Sequence, residues 1–405
     1  MTTMVHDDLL HPDVIADPYT YFQYLRDTDP VHWNHLWNGW VLTRYDDVAA
    51  AFQDPRLSAD RITPSLNRLS PGKLEERRTI YTVLSKWMAF NDPPIHTRLR
   101  MLMNKAFTPK AISRLEPRIG EIADQLLTQL DSKTQVDVVS EFAYLVPVLV
   151  IADLLGIPVD DRDLIKGWSD DLMLLVFGAV DVSDRHARAE KGLQEMHAYL
   201  SQMIEDRREH PKDDLLSSIA AASEGEDVLT TDEAVAMCTL LLFAGHETTT
   251  NLIANGVLTL LRNPAELARL RQDASLLPSA VEEILRFEGP SKSLIRIAKE
   301  SFELRGKSIQ EGQRVLLVQA AANRDGEQFD HPNRFDVARS PNSHLGFGRG
   351  IHYCLGAPLA RLEGEIAIGR LIARFASMHL GETEVQWQPT LINRSLKQLL
   401  VQVHA

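Results

Sequence analysis

The chain has 405 residues, 44% of them hydrophobic and 24% charged, a composition that is typical of globular proteins with a sizeable core. Its 43 Lys and Arg residues against 56 Asp and Glu residues give a formal net charge of -13 at pH 7. Because phosphate binding requires a basic surface, this charge argues against a nucleic-acid partner.

The most apolar run, residues 142–152, is about half as long as a bilayer span and contains Pro147. We therefore expect no membrane contact. The first residues lack a basic segment followed by an apolar one, and so predict no secretory signal. Two cysteines, Cys238 and Cys354, are too few for a disulfide framework, which favours the reducing cytoplasm.

Most of the chain carries the amphipathic pattern of helices, interrupted by proline and glycine turns. Helices are predicted over residues 18–29, 45–54, 94–107, 110–130, 139–155, 162–176, 185–208 and 212–223. A strand is predicted over 39–43, a β-rich interlude over 294–319, and short strands over 385–404. Since no repeat or linker-like segment interrupts this pattern, we expect one mainly α domain over residues 1–405 with a small β region.

One predicted helix is longer than the others and has an unusual centre. Thr230-Thr-Asp-Glu233 has the capping-box pattern of a helix start, and Pro264 predicts an end near Arg262. About thirty residues at ~1.5 Å each span roughly 45 Å, enough to cross a domain. The central Ala244-Gly-His-Glu-Thr-Thr-Thr250 is poor helix material, costing up to ~1 kcal/mol per residue relative to alanine. This predicts a strained helix centre with a local function.

Cys354 lies in a glycine-rich run that predicts a metal site. The run is His344-Leu-Gly-Phe-Gly-Arg-Gly-Ile-His-Tyr-Cys-Leu-Gly-Ala-Pro-Leu-Ala-Arg361, and a helix-like pattern follows the cysteine. Glycines let the backbone approach a bulky ligand, and a helix N-terminus favours the thiolate. Zinc would require more ligands than Cys354 and His352, a c-type haem a Cys-x-x-Cys-His motif, and an iron–sulfur cluster more cysteines. A single thiolate in a glycine-rich loop fits axial ligation of haem iron. This interpretation is favoured over the alternative that Cys354 is a buried structural thiol.

Four motifs, in order, resemble those of the cytochrome P450 superfamily, and the resemblance covers almost the whole chain. They are Ala244-Gly-x-Glu-Thr248, Glu283-x-x-Arg286, Phe329-Asp-His-Pro-Asn-Arg-Phe335 and Phe347-Gly-x-Gly-x-His-x-Cys-x-Gly356. The resemblance implies a single-domain cytochrome P450 fold with haem b, whose axial ligand is the Cys354 thiolate. The haem is expected between the long oxygen-binding helix and the helix after the cysteine loop. Glu283, Arg286 and Arg334 are expected to form a buried ion-pair network.

The resemblance also assigns haem contacts outside the cysteine loop. The expected cofactor-binding residues are His96, Arg100, Ala244, Gly245, Arg296, Phe347, His352 and Cys354. His96 and Arg100 stand four residues apart on a predicted helix and so share a face. With Arg296 and His352 they would bind the haem propionates, although each cation taken alone also suits a surface role.

Glu247 and Thr248 are the expected catalytic pair. By resemblance, Thr248 donates a hydrogen bond to the reacting oxygen and Glu247 relays protons; the alternative is that Thr248 bonds back to a helix carbonyl. The implied enzyme is a monomeric, cytoplasmic monooxygenase that hydroxylates or epoxidises a lipophilic molecule with O2 and electrons from a ferredoxin and its reductase. One alternative is a peroxide-driven peroxygenase, although such enzymes tend to replace the acid–alcohol pair. The other is a non-catalytic haem sensor, which leaves the unusual helix centre unexplained.

The resemblance further outlines a substrate pocket. Its expected apolar lining includes Trp87, Phe90, Leu242, Phe243, Leu294, Ile295 and Ile392. This lining favours a terpenoid, steroid, fatty acid or polyketide-like substrate. Lys292 and Arg394 are expected either to bind an acidic group of the substrate or to face solvent. A basic patch that attracts an acidic ferredoxin, or else scattered solvated charge, is expected at Arg98, Lys105, Arg349 and Arg361.

Overall fold

The computed structural model describes residues 7–176, 183–224 and 227–404, and this part of the chain is mainly helical. Its helices are α1 Pro12–Ala16, α2 Pro18–Thr28, α3 Tyr45–Ala51, α4 Thr63–Leu66, α5 Pro71–Glu76, α6 Arg78–Leu84, α7 Ile95–Ala106, α8 Pro109–Ser113, α9 Glu116–Leu130, α10 Leu145–Leu154, α11 Arg162–Val176, α12 Arg185–Glu209, α13 Leu215–Ala220, α14 Thr231–Arg262, α15 Pro264–Gln272, α16 Leu277–Phe287, α17 Gln319–Ala322 and α18 Ala357–Arg374. Its strands are β1 Val31–Asn34, β2 Gly39–Leu42, β3 Leu57–Ser58, β4 Gln135–Asp137, β5 Ser223–Glu224, β6 Asp227–Val228, β7 Leu294–Ala298, β8 Phe302–Leu304, β9 Lys307–Ile309, β10 Arg314–Leu317, β11 Ser377–Leu380 and β12 Leu400–His404. The predicted fold class, mainly α with a small β region, is confirmed.

Most predicted helices occur close to their predicted bounds, and the differences have local causes. The segment 110–130 is divided into α8 and α9, because the Thr108 hydroxyl caps α8 and Pro117 favours a new helix start. Helix α13 is shorter than predicted, since the Asp214 side chain accepts the Ser217 N–H at 2.7 Å and fixes the start. Strand β11 was not predicted; it pairs with β12 at the C-terminal end.

The chain divides into two compact units by its internal contacts. The first contains the described residues of Met1–Leu57, Ile119–Val146 and Thr248–Ala405. Its main sheet has the strand order β1-β2-β10-β7-β3, with β10 parallel to β2 and antiparallel to β7. Side chains alternate, so Leu317 of β10 joins one apolar cluster and Leu316 the other, and both faces of the sheet are covered.

The second unit contains Ser58–Arg118 and the described residues of Pro147–Glu247, and it is mostly helical. Helix α12 packs against α6, α11 and α13. The buried Glu190 carboxylate of α12 accepts the backbone N–H groups of Thr79 and Ile80, each at 3.0 Å. A carboxylate at these N–H groups, which the first turn of a helix leaves unpaired, stabilises the start of α6.

Helix α14 begins and ends as predicted and is α-helical through its middle. The Glu233 N–H donates to the Thr230 hydroxyl at 3.2 Å and the Thr230 N–H to the Glu233 carboxylate at 2.9 Å, which completes the capping box. The helix then continues without interruption to Arg262. Most of the central residues are buried, which favours the helix despite their poor propensity, and the strain expected there stays a prediction. Within the part of the chain that the structure describes, no helix is long and apolar enough to cross a membrane.

Candidate active site

The cysteine loop is closed by backbone hydrogen bonds just before α18. The Cys354 N–H donates to the Phe347 carbonyl at 3.0 Å, and the Ala357 N–H donates to the Cys354 carbonyl at 3.4 Å. Gly348 and Gly350 have φ values of 69° and 73°, in the left-handed region that side chains disfavour. The loop therefore turns tightly and leaves Cys354 partly exposed at the start of a helix.

Neighbouring groups lie close to two of the loop glycines, and at Gly350 they leave no room for a side chain. A Cβ atom on Gly350 would lie 2.9 Å from the Gln53 side chain and 3.2 Å from the Phe52 carbonyl. A Cβ atom on Gly356 would lie 4.0 Å from the Cys354 sulfur, in contact with it. The loop thus forms a cradle that keeps one soft sulfur ligand accessible to a bulky group.

Glu283 and Arg286 of α16 form the predicted buried ion pair. Arg286 donates to both carboxylate oxygens of Glu283 at 2.7 Å, and neither side chain is exposed. Arg339 donates to the same two oxygens at 3.1 Å, and Asn342 donates to one of them at 3.2 Å. The carboxylate is therefore bound by two guanidinium groups and an amide.

Arg334 does not have the expected place in this network. Its side chain is exposed, and it contributes only its carbonyl, which accepts from Arg286 at 3.1 Å and from Arg339 at 2.9 Å. The physical reason is a turn in which the Arg334 N–H donates to the His331 carbonyl and His331 has a φ of 48°. The second guanidinium of the network is Arg339, which sequence spacing does not distinguish from Arg334.

One face of α14 keeps accessible surface in an otherwise buried stretch of the helix. Leu241, Ala244, Gly245 and Thr248 are partly or fully exposed, at the i, i+3, i+4 and i+7 spacing of a single helical face. Glu247 is buried beside this face. Ala244, Gly245 and Thr248 were predicted for the site, and Leu241 was not, although its spacing could have marked it.

Most predicted pocket residues are buried. Trp87 donates its indole N–H to the Thr239 hydroxyl at 2.9 Å, and its ring lies 5.5 Å from that of Phe90 and 5.1 Å from that of Phe243. These rings, together with Leu242 and, in the other unit, Ile392, have little surface to offer a substrate. Of the predicted lining, Leu294 and Ile295 on β7 keep accessible surface.

A family model for Cytochrome P450 matches residues 71–392 of this chain. The chain belongs to the cytochrome P450 family. It is 42% identical over 402 residues to a vitamin D(3) 25-hydroxylase of Pseudonocardia autotrophica, covering 97% of this chain and 96% of that protein. It is 41% identical over 410 residues to cytochrome P450 107B1 of Saccharopolyspora erythraea, covering 99% of each. The crystal structure of P450BioI with hexadec-9Z-enoic acid ligated acyl carrier protein matches with a TM-score of 0.89 at 35% identity, covering 97% of this chain and 99% of that one. The protein is a cytochrome P450 monooxygenase with haem b as cofactor.

The four cations predicted for the haem propionates of this cytochrome P450 differ in exposure. On α7, His96 is buried and Arg100 is partly exposed. On β7, Arg296 is buried and donates to the carbonyl of Ile295 at 3.1 Å. His352 is partly exposed in the turn that precedes Cys354. Their common action on the propionates stays a prediction.

Lys292 and Arg394 do not face solvent, which was one of the two roles considered for them. The Arg394 guanidinium is buried, donates to the Glu288 carboxylate at 2.7 Å and stacks 3.3 Å from the centre of the Trp387 ring. Lys292 is only 5% exposed, and its ammonium donates to the Thr390 carbonyl at 2.5 Å. Burial, reinforced by Arg394, lowers the pKa of Lys292 to about 7. Both side chains are held inside the protein by these contacts, so neither faces solvent.

Glu363 of α18 is a buried carboxyl that its sequence position does not mark. It is 2% exposed, and its Oε2 atom has no hydrogen-bond partner among the described residues. Burial raises the pKa of this carboxyl well above 4.5. The stability that this group contributes is therefore complete below the pKa of the unfolded chain and is lost as pH rises through the folded-state pKa.

Replacing Glu363 with glutamine is expected to stabilise the protein at neutral pH, because the variant cannot ionise when it unfolds. The gain should shrink as pH falls toward 4.5, where the carboxyl is protonated in both states. Thermal unfolding midpoints of wild type and Glu363→Gln across this range give the comparison. A loss of stability at neutral pH, or a gain that does not change with pH, would contradict this account.

Proposed function

We propose that Cys354 supplies the axial thiolate of the haem. The observation that carries this proposal is that Cys354 is partly exposed in a glycine-rich loop just before α18. The other cysteine, Cys238, is fully buried, and burial raises the pKa of its thiol to about 12, which disfavours the thiolate. A CO difference spectrum of Cys354→Ala tests the assignment.

We propose that Thr248 and Glu247 carry the proton transfers of the reaction. Haem, when bound, supplies the activation of O2. Thr248 lies on the accessible face of α14, where its hydroxyl can donate a hydrogen bond to the reacting oxygen. The buried carboxyl of Glu247, the residue before Thr248, can supply a new proton to that hydroxyl.

We propose that Phe347, Ala244 and Gly245 contact the haem, and that His96, Arg100, Arg296 and His352 bind its propionates. Small side chains at Ala244 and Gly245 leave room beside the accessible face of α14. The Arg guanidinium suits the geometry of a carboxylate. Support for the four cations is their donor chemistry and, for Arg100 and His352, their partial exposure.

The substrate we propose is a neutral, lipophilic small molecule that is hydroxylated or epoxidised. Leu241, Leu294 and Ile295 offer apolar accessible surface, while Lys292 and Arg394 are engaged inside the protein. A relative of 42% identity is named as a vitamin D(3) 25-hydroxylase. A panel of steroids, terpenoids, fatty acids and macrolides should therefore be titrated into the ferric holoenzyme. We expect low-to-high-spin Soret shifts with uncharged members, and a response to carboxylates alone would contradict the proposal.

We propose that electrons come from a ferredoxin and its reductase. The exposed side of the cysteine loop presents Arg349, with Ile351 at 52% and Tyr353 at 38% exposure. The expected wider basic patch is smaller than predicted, because Arg98 binds Asp227 and Glu233 and Arg361 binds the carboxylate of Glu282, so that these two cations are neutralised. An apolar surface with one cation fits an acidic partner.

Arg349→Glu is expected to raise the KM for a ferredoxin about tenfold and to reduce its dependence on salt, because the variant repels an acidic partner. Steady-state reduction at several ionic strengths measures both effects. Arg370→Glu on α18, an exposed arginine outside the loop, is the charge-matched control and should leave the KM unchanged. Equal effects of both variants would show that only net charge matters.

Turnover with NAD(P)H, ferredoxin and reductase, compared with turnover on hydrogen peroxide, tests the electron source. We expect product with the first system to exceed product with peroxide. The reverse result would favour a peroxygenase. A cytoplasmic location, which we also propose, agrees with two free thiols and with such reducing partners.

A further inference from the structure

Three side chains pack around the ring of Phe347, which lies in the same loop as Cys354, the proposed haem ligand. The Arg361 guanidinium carbon lies 4.6 Å from the ring centre, and the rings of Tyr353 and His344 lie at 6.2 Å and 6.1 Å. The Phe347 carbonyl accepts the Cys354 N–H at 3.0 Å. The packing of this ring is therefore coupled to the backbone of the cysteine.

Glu282 of α16 binds two of these three side chains. Its Oε1 atom accepts from Arg361 Nε at 2.6 Å, and its Oε2 atom accepts from Arg361 Nη2 at 3.0 Å, which is a bidentate pair. Oε2 also lies 3.1 Å from His344 Nε2. Arg361 Nη1 donates to the Tyr353 hydroxyl at 3.3 Å, so the third side chain is connected as well.

His344 extends the same network to the loop backbone. The Gly346 N–H donates to His344 Nδ1 at 3.0 Å, so Nδ1 is an acceptor and Nε2 carries the proton given to Glu282. A Cβ atom on Gly346 would lie 3.0 Å from Nδ1. Glu282 is thus linked through one imidazole to the residue before Phe347.

Glu282 and its neighbour Glu283 bind different parts of the chain. Glu283 is bound by Arg339 and Asn342, ahead of the cysteine loop, whereas Glu282 is bound by side chains at the two ends of the loop. Burial alone would raise the pKa of Glu282, but hydrogen bonds from His344 and Arg361 outweigh burial and lower the pKa to about 2. The carboxylate is therefore charged at any working pH.

We infer that Glu282 is a positioning residue that orients the Cys354 thiolate toward the haem iron. It acts through the two side chains that it binds, Arg361 and His344, because both pack against Phe347. The inference rests on the proposed ligation of iron by Cys354. Glu283 binds residues ahead of the cysteine loop, and Glu282 is a second carboxylate, which fixes the loop itself.

The test uses holoenzyme of Glu282→Ala, Glu282→Gln and Arg361→Ala, with Arg370→Ala as the matched control. Arg370 lies on the same helix as Arg361, but its partner is the exposed Asp124 at 3.3 Å. Loss of a direct partner of a metal ligand lowers affinity about 10–100-fold. Because Glu282 and Arg361 act on Cys354 through Phe347, we expect the lower end of this range, with haem transfer to excess apomyoglobin about tenfold faster in Glu282→Ala and Arg361→Ala. In the ferrous CO spectrum, recorded well below the unfolding temperature, part of the thiolate-type band should become thiol-type. The control should match wild type.

Glu282→Gln keeps the shape of the side chain and should show smaller changes in the same direction. If the alanine variants do not fold, this variant decides. Unchanged haem transfer and an unchanged band ratio, with only a lower unfolding midpoint, would overturn the inference and leave Glu282 a general stabilising residue. Absence of the thiolate-type band in wild type, or its retention in Cys354→Ala, would instead contradict the ligation on which the inference rests.

Discussion

Replacing Arg286 with alanine is expected to destabilise the protein by about 3–5 kcal/mol, because removing one partner of a buried ion pair leaves the other charge uncompensated. Glu283 is fully buried, and Arg286 gives it its two shortest hydrogen bonds. Arg286 also donates to the Asn323 and Pro332 carbonyls at 2.9 Å and 2.8 Å, which would lose this donor. Denaturant unfolding followed by the haem Soret band and by far-ultraviolet circular dichroism measures the loss.

The control for this prediction is Arg269→Ala on α15. Arg269 forms a pair with Glu266 at the same i,i+3 spacing and a second pair with Asp336 at 3.0 Å, but the arginine side chain is 42% exposed. Water replaces the lost contact there, so the unfolding midpoint should stay close to that of wild type. Equal losses in both variants would mean that burial of the Glu283 pair does not determine its effect.

Replacing Thr248 with valine is expected to lower product formation about 100-fold while NAD(P)H and O2 consumption continue, because a positioned proton donor contributes about 10²–10⁴ to rate. Valine has nearly the same shape as threonine, so the accessible face of α14 keeps its form. Glu247→Gln should have the same effect, since an amide does not relay a proton. The ratio of product to NAD(P)H consumed, with a substrate identified by Soret shift, is the measurement.

Thr249→Val is the matched control for this prediction. Thr249 is the next residue on α14 and is buried, away from the accessible face. The same substitution there should leave the ratio of product to NAD(P)H close to that of wild type. If Thr249→Val and Thr248→Val uncouple the reaction equally, the effect comes from the helix and not from the Thr248 hydroxyl.

The bounds of α14 and the form of the cysteine loop could be predicted because their signals are local. A capping box and a proline set the ends of the helix, and closely spaced glycines permit the left-handed turns before Cys354. The same helix was predicted to run through residues 244–250, and it does. Local propensity is poor in that stretch, so the helix there depends on tertiary packing.

The partners within the site were harder to predict for the same reason. Arg334 and Arg339 lie in one segment, and only the folded turn brings the carbonyl of Arg334 to Arg286 and the guanidinium of Arg339 to Glu283. Glu282 and Glu283 are adjacent, yet their partners come from different parts of the chain. Trp87, expected beside the substrate, is fixed in the core by Thr239. Motifs thus indicate which residues matter, and the tertiary structure determines their contacts.

The most direct test of this account is the CO difference spectrum of the reduced holoenzyme and of Cys354→Ala. We expect wild type to show the Soret band of a thiolate-ligated haem and Cys354→Ala to lose it, because the buried Cys238 thiol cannot replace the ligand. A wild-type spectrum without that band, or a Cys354→Ala variant that retains it, would contradict the assignment of Cys354 as the haem ligand.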